Sequence, residues 1–278
     1  MAQCFRFGWR RCSPLNWALC VCLNYGDKSL FWLVPINWLC IVMGIPYVLS
    51  MLVYPLVVGD WNYVHSVWYT WQSLNTGVLA FVASILALNA VRYSEEKKRQ
   101  RNFVASKAFL PQALSELNSY CNACAPLVIE AWKRAIDRND RCKTPLTNRL
   151  PDLPNGYQQV FKECISEASP EVAERLAYIL VRLQIHHSRT ESLIEDFSPE
   201  STALLVPRSL MTQVFALAEL QSLISQLFDY ARGTKDFDNS SLSVDSFFSF
   251  YRLWKIDIED HDDLEGFTER NHGKRWNT

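Results

Sequence analysis

Cys121-Asn122-Ala123-Cys124 is the first stretch of this 278-residue sequence whose residue types and spacing suggest chemistry. A C-x-x-C pair is half of a zinc site or the working end of a dithiol redox centre, and a second C-x-x-C or an H-x-x-x-H would strengthen either assignment. Neither is present. Both cysteines also lie on an apolar stripe at helical spacing, Leu110, Leu114, Leu117, Cys121, Cys124 and Val128, where a free thiol packs as a small hydrophobe. Core packing is therefore expected. His186 and His187 are adjacent, so on a helix they point about 100° apart and cannot share a metal unaided. The acidic run DIEDHDDLE (257 to 265) carries carboxylates suited to calcium but lacks the glycine and the spacing of an EF-hand loop. A flexible acidic tail over 257–278 is expected instead. Cys4, Cys12, Cys20 and Cys22 cluster near the N-terminus, where thioacylation or metal binding would need further support that the sequence does not supply. With no Walker loop, nucleophile elbow, HExxH or paired zinc half-site, the reading is of a non-enzyme with no cofactor, no metal and no catalytic residue.

The elements around these residues say more. A net charge of -1 with 21% charged residues gives no overall push toward nucleic acid, but the charge is unevenly placed. Between Lys28 and Arg92 the only formal charge is Asp60. Seven of the ten tryptophans also fall before residue 72. Leu30 to Val58 and Trp71 to Val91 are uncharged runs of the length that crosses a bilayer, about 20 residues at about 1.5 Å each. In lipid an isolated span must satisfy its backbone internally, which selects helix. The expected fold is all-α: a two-helix transmembrane hairpin followed by a cytosolic α-helical domain. Residues 1–29 form an interfacial N-terminal segment, 30–91 the hairpin with spans of about 31–54 and 71–91, and 92–256 the domain. Pro35, Pro46 and Pro55 should kink the first span. Arg10 and Arg11 precede a short apolar stretch, but no small-residue cleavage site follows, so a secretory signal is not expected.

Basic residues orient the spans. Arg6, Arg10, Arg11 and Lys28 precede the first, whereas Arg92, Lys97, Lys98, Arg99, Arg101 and Lys107 follow the second. The connecting GDWNYVHS, expected to be a short outer loop, has none. Both termini should therefore be cytoplasmic in a multi-pass protein of the cell inner membrane, with Trp61, Tyr63, Trp68, Tyr69 and Trp71 as an aromatic belt. Along the second span Gln72, Thr76, Ala80, Ala83, Ala87 and Ala90 fall on one stripe, and small residues let helices approach closely in lipid. This is the expected helix-contact face, its partner the first span, a second copy of the chain, or both. Arg92, Lys97, Lys98, Arg99 and Arg101 form an inner-leaflet basic cluster, suited to anionic headgroups. No Gly or Pro intervenes before Pro111, so the helix can continue past the membrane.

From about Asn102 the periodicity stays helical. Val172, Leu176, Ile179, Leu183, His187 and Ile194 form a second stripe, and Leu210, Val214, Leu217, Ile224, Phe228 and Ala231 a third. Ser169-Pro170 and Ser198-Pro199 read as helix starts, Gly233 as the end of a helix begun near Pro207, and 138–156 as a loop. From Arg92 on, 24 basic against 27 acidic residues leave -3, so no direct nucleic-acid contact is expected.

The stretch WYTWQSLNTGVLAFVASILALNAVRYSEEKKRQRNFVASKAFLPQALSELNSYC (68 to 121), with AYILVRLQIHHSRTESL (177 to 193), resembles bacterial two-span membrane proteins of anti-phage, abortive-infection defence, including the transmembrane effectors encoded beside retron reverse transcriptases. The likeness lies in the Trp-Gln and Ala-rich span, its charged exit and the cadence from Ala105 to Leu114, about a quarter of the chain. It implies an effector held inactive by a cytosolic partner, in retrons a reverse transcriptase with its RNA–DNA hybrid. Once released, such an effector would breach the inner membrane as its spans associate or rearrange, and a homo-oligomer is among the expected assemblies. The alternative is a membrane-anchored helical scaffold or sensor that recruits a cytosolic protein and whose spans are inert.

Overall fold

Proline shapes the first helix. In the computed structural model, which describes residues 33–59, 61–137 and 144–272, α1 (Leu33–Val48), a π turn (Leu49–Val53) and α2 (Tyr54–Val58) follow one another with helical torsions at both joints. Pro46 lies inside α1 and Pro55 at the start of α2, and neither can donate a backbone hydrogen bond. The ladder is disturbed by one residue between them, the usual form of a π turn. The helix thus reaches Val58, four residues beyond the expected Tyr54, and ends at Gly59 in extended backbone. A side chain at Gly59 would meet the Tyr63 ring at 2.8 Å, which restricts this corner to glycine.

The expected outer loop is mostly helix. α3 (Trp61–Thr70) begins directly after the corner, because no Gly or Pro interrupts the chain between Gly59 and Gly77. Trp71 N donates to Val67 O at 3.1 Å and Asn75 N to Trp71 O at 2.9 Å, so α3 runs almost directly into α4 (Gln72–Lys107). At 36 residues α4 is about 54 Å long. The chain divides into two compact units between Ser94 and Glu95, within this helix.

In the second unit, α5 (Leu110–Ile136) and α8 (Pro207–Ala231) pack together as the central pair. α6 (Tyr157–Glu167) packs on α5, and α7 (Pro170–Asp196) on both α6 and α8. α9 (Val244–Leu253) covers α8. The whole α5 stripe is buried, and so is the α8 stripe apart from a half-buried Phe228. On α7 the stripe takes a different path after Leu183: His186, Thr190, Leu193 and then Phe197 are buried, while His187 is half-buried and Ile194 exposed. Alternating steps of four and three keep a line of residues on one face, whereas the two successive steps of four to Leu183 and His187 drift off it.

The helix ends show two further outcomes. Ser169-Pro170 opens α7 as expected, but Ser198-Pro199 lies in a turn closing that helix, with Ser198 N donating to Glu195 O and Ser201 N to Ser198 O. The next helix waits until Pro207. At the end of α8, Gly233 takes φ +70°, its N–H donates to Tyr230 O and Thr234 N donates to Asp229 O, the two bonds of a Schellman cap.

The expected flexible tail is also structured through His272. A 3-10 turn (Ile258–Asp260) leads into α10 (Asp262–Asn271), with Leu264 and Thr268 buried. Phe267 meets Phe215 edge-on at 5.2 Å, and the Tyr251 and Thr268 hydroxyls are 3.1 Å apart. The acidic residues Asp262, Asp263 and Glu265 occupy the first turn, where the helix dipole favours them.

Candidate functional site

Among the described residues of the first unit most apolar side chains are exposed. Ile41, Val42, Met43, Ile45, Val48, Leu49, Val53, Leu56, Val57 and Val58 are exposed, as are Leu74, Leu79, Phe81, Val82, Leu86, Leu88 and Val91 on α4. Two helices, one including Ile41–Val58 and the other beginning at Gln72, are long and apolar enough to cross a membrane. Each large apolar side chain left in water forgoes roughly 1.5–3 kcal/mol, so a surface of this extent outweighs the 5–15 kcal/mol by which a domain is typically stable. A nonaqueous surrounding removes that conflict.

Of the expected contact face, Gln72, Thr76, Ala80, Ala83, Ala87 and Ala90 are all exposed. The covered line of α4 lies elsewhere on the helix: Asn75 is buried, 4% exposed, while Val78, Ile85 and Asn89 are half-buried. Tyr47 Oη donates to Asn75 Oδ1 at 2.6 Å, and Asn75 Nδ2 donates to Trp68 O at 3.4 Å. Trp68 Nε1 donates to Met51 O at 3.0 Å, the carbonyl that an ordinary helix would bond to the N–H four residues on, which Pro55 lacks. The indole thus ties α3 to the π turn. Neither Tyr47 nor Asn75 is among the expected contact residues, although an amide inside an uncharged run is a signal, because in lipid it must find a partner.

The basic cluster lies past the division of the chain or just before it. Arg92, Lys97, Lys98 and Arg101 are exposed. Arg99 is half-buried and pairs with Glu96 at 3.4 Å, so part of the cluster's charge is balanced on its own helix. Further along α4 the contacts are polar: Asn102 Nδ2 donates to Glu167 and Ser106 Oγ to Glu163, both at 3.4 Å. Lys107 Nζ lies 3.6 Å from the centre of the Tyr230 ring, and burial lowers its pKa while Asp236 opposes the shift.

The residues singled out for chemistry are packed away. Cys121 and Cys124 are fully buried. Burial pushes the Cys121 thiol well above its usual range and the Cys124 thiol up to about 11, so neither offers thiolate near neutral pH. His186 is buried with no hydrogen-bond partner for Nε2 among the described residues. Burial, assisted by His187, Arg182 and Arg189, lowers its pKa to about 4. His187 Nδ1 is 2.7 Å from Tyr120 Oη, on another helix, so the two histidines face different neighbours. Among the described residues no group of three or more His, Cys, Asp or Glu is placed to hold a metal. Cys4, Cys12, Cys20, Cys22 and the N-terminal basic residues lie outside the described residues.

Two sites holding buried charge do not stand out in the sequence. Arg182 and Glu219 pair at 2.5 Å between α7 and α8, with Tyr178 Oη donating to the other carboxylate oxygen at 3.3 Å. Arg175 donates to Gln226 Oε1 at 2.8 Å and to Asn239 Oδ1 and Ser240 O at 3.2 Å, fastening the loop after α8. Both sites link elements, and in both the bonds run within the protein. Comparison with known proteins finds no matching family model, no matching curated protein and no matching solved structure.

Proposed function

We propose that the chain is a multi-pass protein of the bacterial inner membrane. Its two helices would cross as a hairpin, with both termini and the helical domain on the cytoplasmic side. In this reading it acts as the effector of an abortive-infection defence of the retron type. A cytosolic partner, a reverse transcriptase with its RNA–DNA hybrid, holds it inactive, and release lets its spans disturb the membrane. The observation that carries the membrane assignment is the unpartnered apolar surface of residues 41–58 and 72–91. The Lys and Arg asymmetry supports the orientation. The sequence resemblance supports the defence role, and the uncovered small-residue face leaves a surface for association in lipid.

Expression of the full chain without partners in a bacterial host, with a potential-sensitive dye, tests the effector role. Growth arrest with loss of membrane potential is expected, and normal growth with an undisturbed potential overturns it. A second reading, an inert-span scaffold that recruits a cytosolic protein, draws on Val181 and Ile185, exposed one turn apart on α7, and on Leu204. Replacing residues 33–91 with an unrelated hairpin separates the two, since only a scaffold would keep its function.

A further inference from the structure

Asn75, Val78, Val82, Ile85 and Asn89 recur on α4 at alternating spacings of three and four. That is the a/d seam of a heptad pattern, with β-branched residues between two amides that stand two heptads apart. A polar Asn at an a position of such a seam selects a partner and fixes its register. In the structure this seam is partly covered, and its first amide is engaged by Tyr47.

The engagement is made where proline and a π turn disturb the ladder of the first helix. Tyr47 stands between Pro46 and the π turn Leu49–Val53, and Pro55 removes a second backbone donor just beyond. Bending here moves Tyr47 away from Asn75 at little cost in helix hydrogen bonds. A carboxamide carries both donors and an acceptor, so an amide freed in lipid is complementary to its own copy. Water competes less there than in bulk solvent.

We propose that the Tyr47–Asn75 hydrogen bond is a clasp whose opening lets Asn75 bond the same residue of a second copy of this chain, so that two α4 helices pair through the Asn75–Asn89 seam. The clasp controls self-association: closed, the amide is satisfied within one chain, and open, the seam is shared by two. This rests on the reading that residues 33–91 lie in lipid.

Full-length chain carrying C-terminal fluorescent fusions, reconstituted into vesicles of phosphatidylethanolamine and phosphatidylglycerol, tests it by energy transfer between copies. Tyr47→Phe, which removes one oxygen, should strengthen dimerisation about three- to tenfold, the range expected for one amide bond between helices in lipid. Asn75→Val should abolish that gain, so that Tyr47→Phe/Asn75→Val associates no more than Asn75→Val alone. Helical content by circular dichroism guards against misfolding, and Trp68→Phe, which leaves the amide in place, provides a second way to loosen the helix pair and should also raise the signal. If Tyr47→Phe and Asn75→Val shift association in the same direction, or if Tyr47→Phe leaves it unchanged, the clasp is overturned. Flotation reads the membrane assignment separately: a chain that stays out of the vesicles overturns both readings, and one that floats without the Tyr47→Phe gain overturns this one alone.

Discussion

Below about pH 6.5 an unfolded chain protonates His186, while the folded chain resists, because the imidazole is buried beside Arg182, Arg189 and His187 and its pKa is lowered to about 4. The folded state therefore binds fewer protons in that window. The contribution of this group to stability is intact above the unfolded pKa, declines as pH falls from 6.5, and is lost by about 4. A gap of this size corresponds to about 3 kcal/mol. Replacing His186 with Leu should remove that part of the acid sensitivity. Denaturation of wild type and variant between neutral pH and about pH 4 checks it, since the carboxylate titrations common to both cancel in the difference. At this scale the C-x-x-C pair was legible because its apolar neighbours recur at helical spacing. His187 is half-buried, as its place on the stripe allows, but the full burial of His186 was not legible, because two adjacent residues differ only in which face the helix presents.

At the scale of elements, α10 carries the clearest expectation. Leu264 is fully buried on a helix whose other sides are acidic or polar, and Phe267 and Thr268 anchor the same face. Leu264→Ala should cost about 3 kcal/mol, the usual penalty for a buried leucine whose cavity does not collapse. Thermal unfolding would show it, and a change below about 1 kcal/mol would mean that α10 is not part of the cooperative core. This helix was obscured in the sequence by its own carboxylates. The apolar positions of this stretch, Ile258, Leu264 and Phe267, are few, and the contact of Phe267 with Phe215 and the pairing of the Thr268 and Tyr251 hydroxyls give the helix its weight. The stretch after Gly59 resembles a loop in sequence for the opposite reason, since its polar residues suit an exposed helix as well as a turn, and Gly59 marks the corner.

For the whole molecule, the two compact units differ in what covers their apolar residues. In the first, little more than Pro55, Val64 and Asn75 is buried among the described residues. In the second, α5 and α8 alone bury more than twenty side chains. Residues 95–278, which keep the Asn102, Ser106 and Lys107 contacts of α4, should therefore be soluble and fold cooperatively without detergent. Residues 1–94 should require lipid or detergent. Sedimentation of the two fragments in plain buffer checks this, and an aggregating 95–278 fragment would show that the second unit depends on the first.

Two properties were determined by the order of residues alone. The all-helical character follows from periodicity, which is local, and the candidate membrane segments follow from runs without charge, which depend only on length and composition. Tertiary structure decided which line of α4 the chain itself covers, which of two histidines enters the core, and whether the acidic C-terminal stretch folds. Each of these turns on contacts between residues distant in sequence, Tyr47 with Asn75 or Phe215 with Phe267, and a periodic pattern names a face without naming what lies against it.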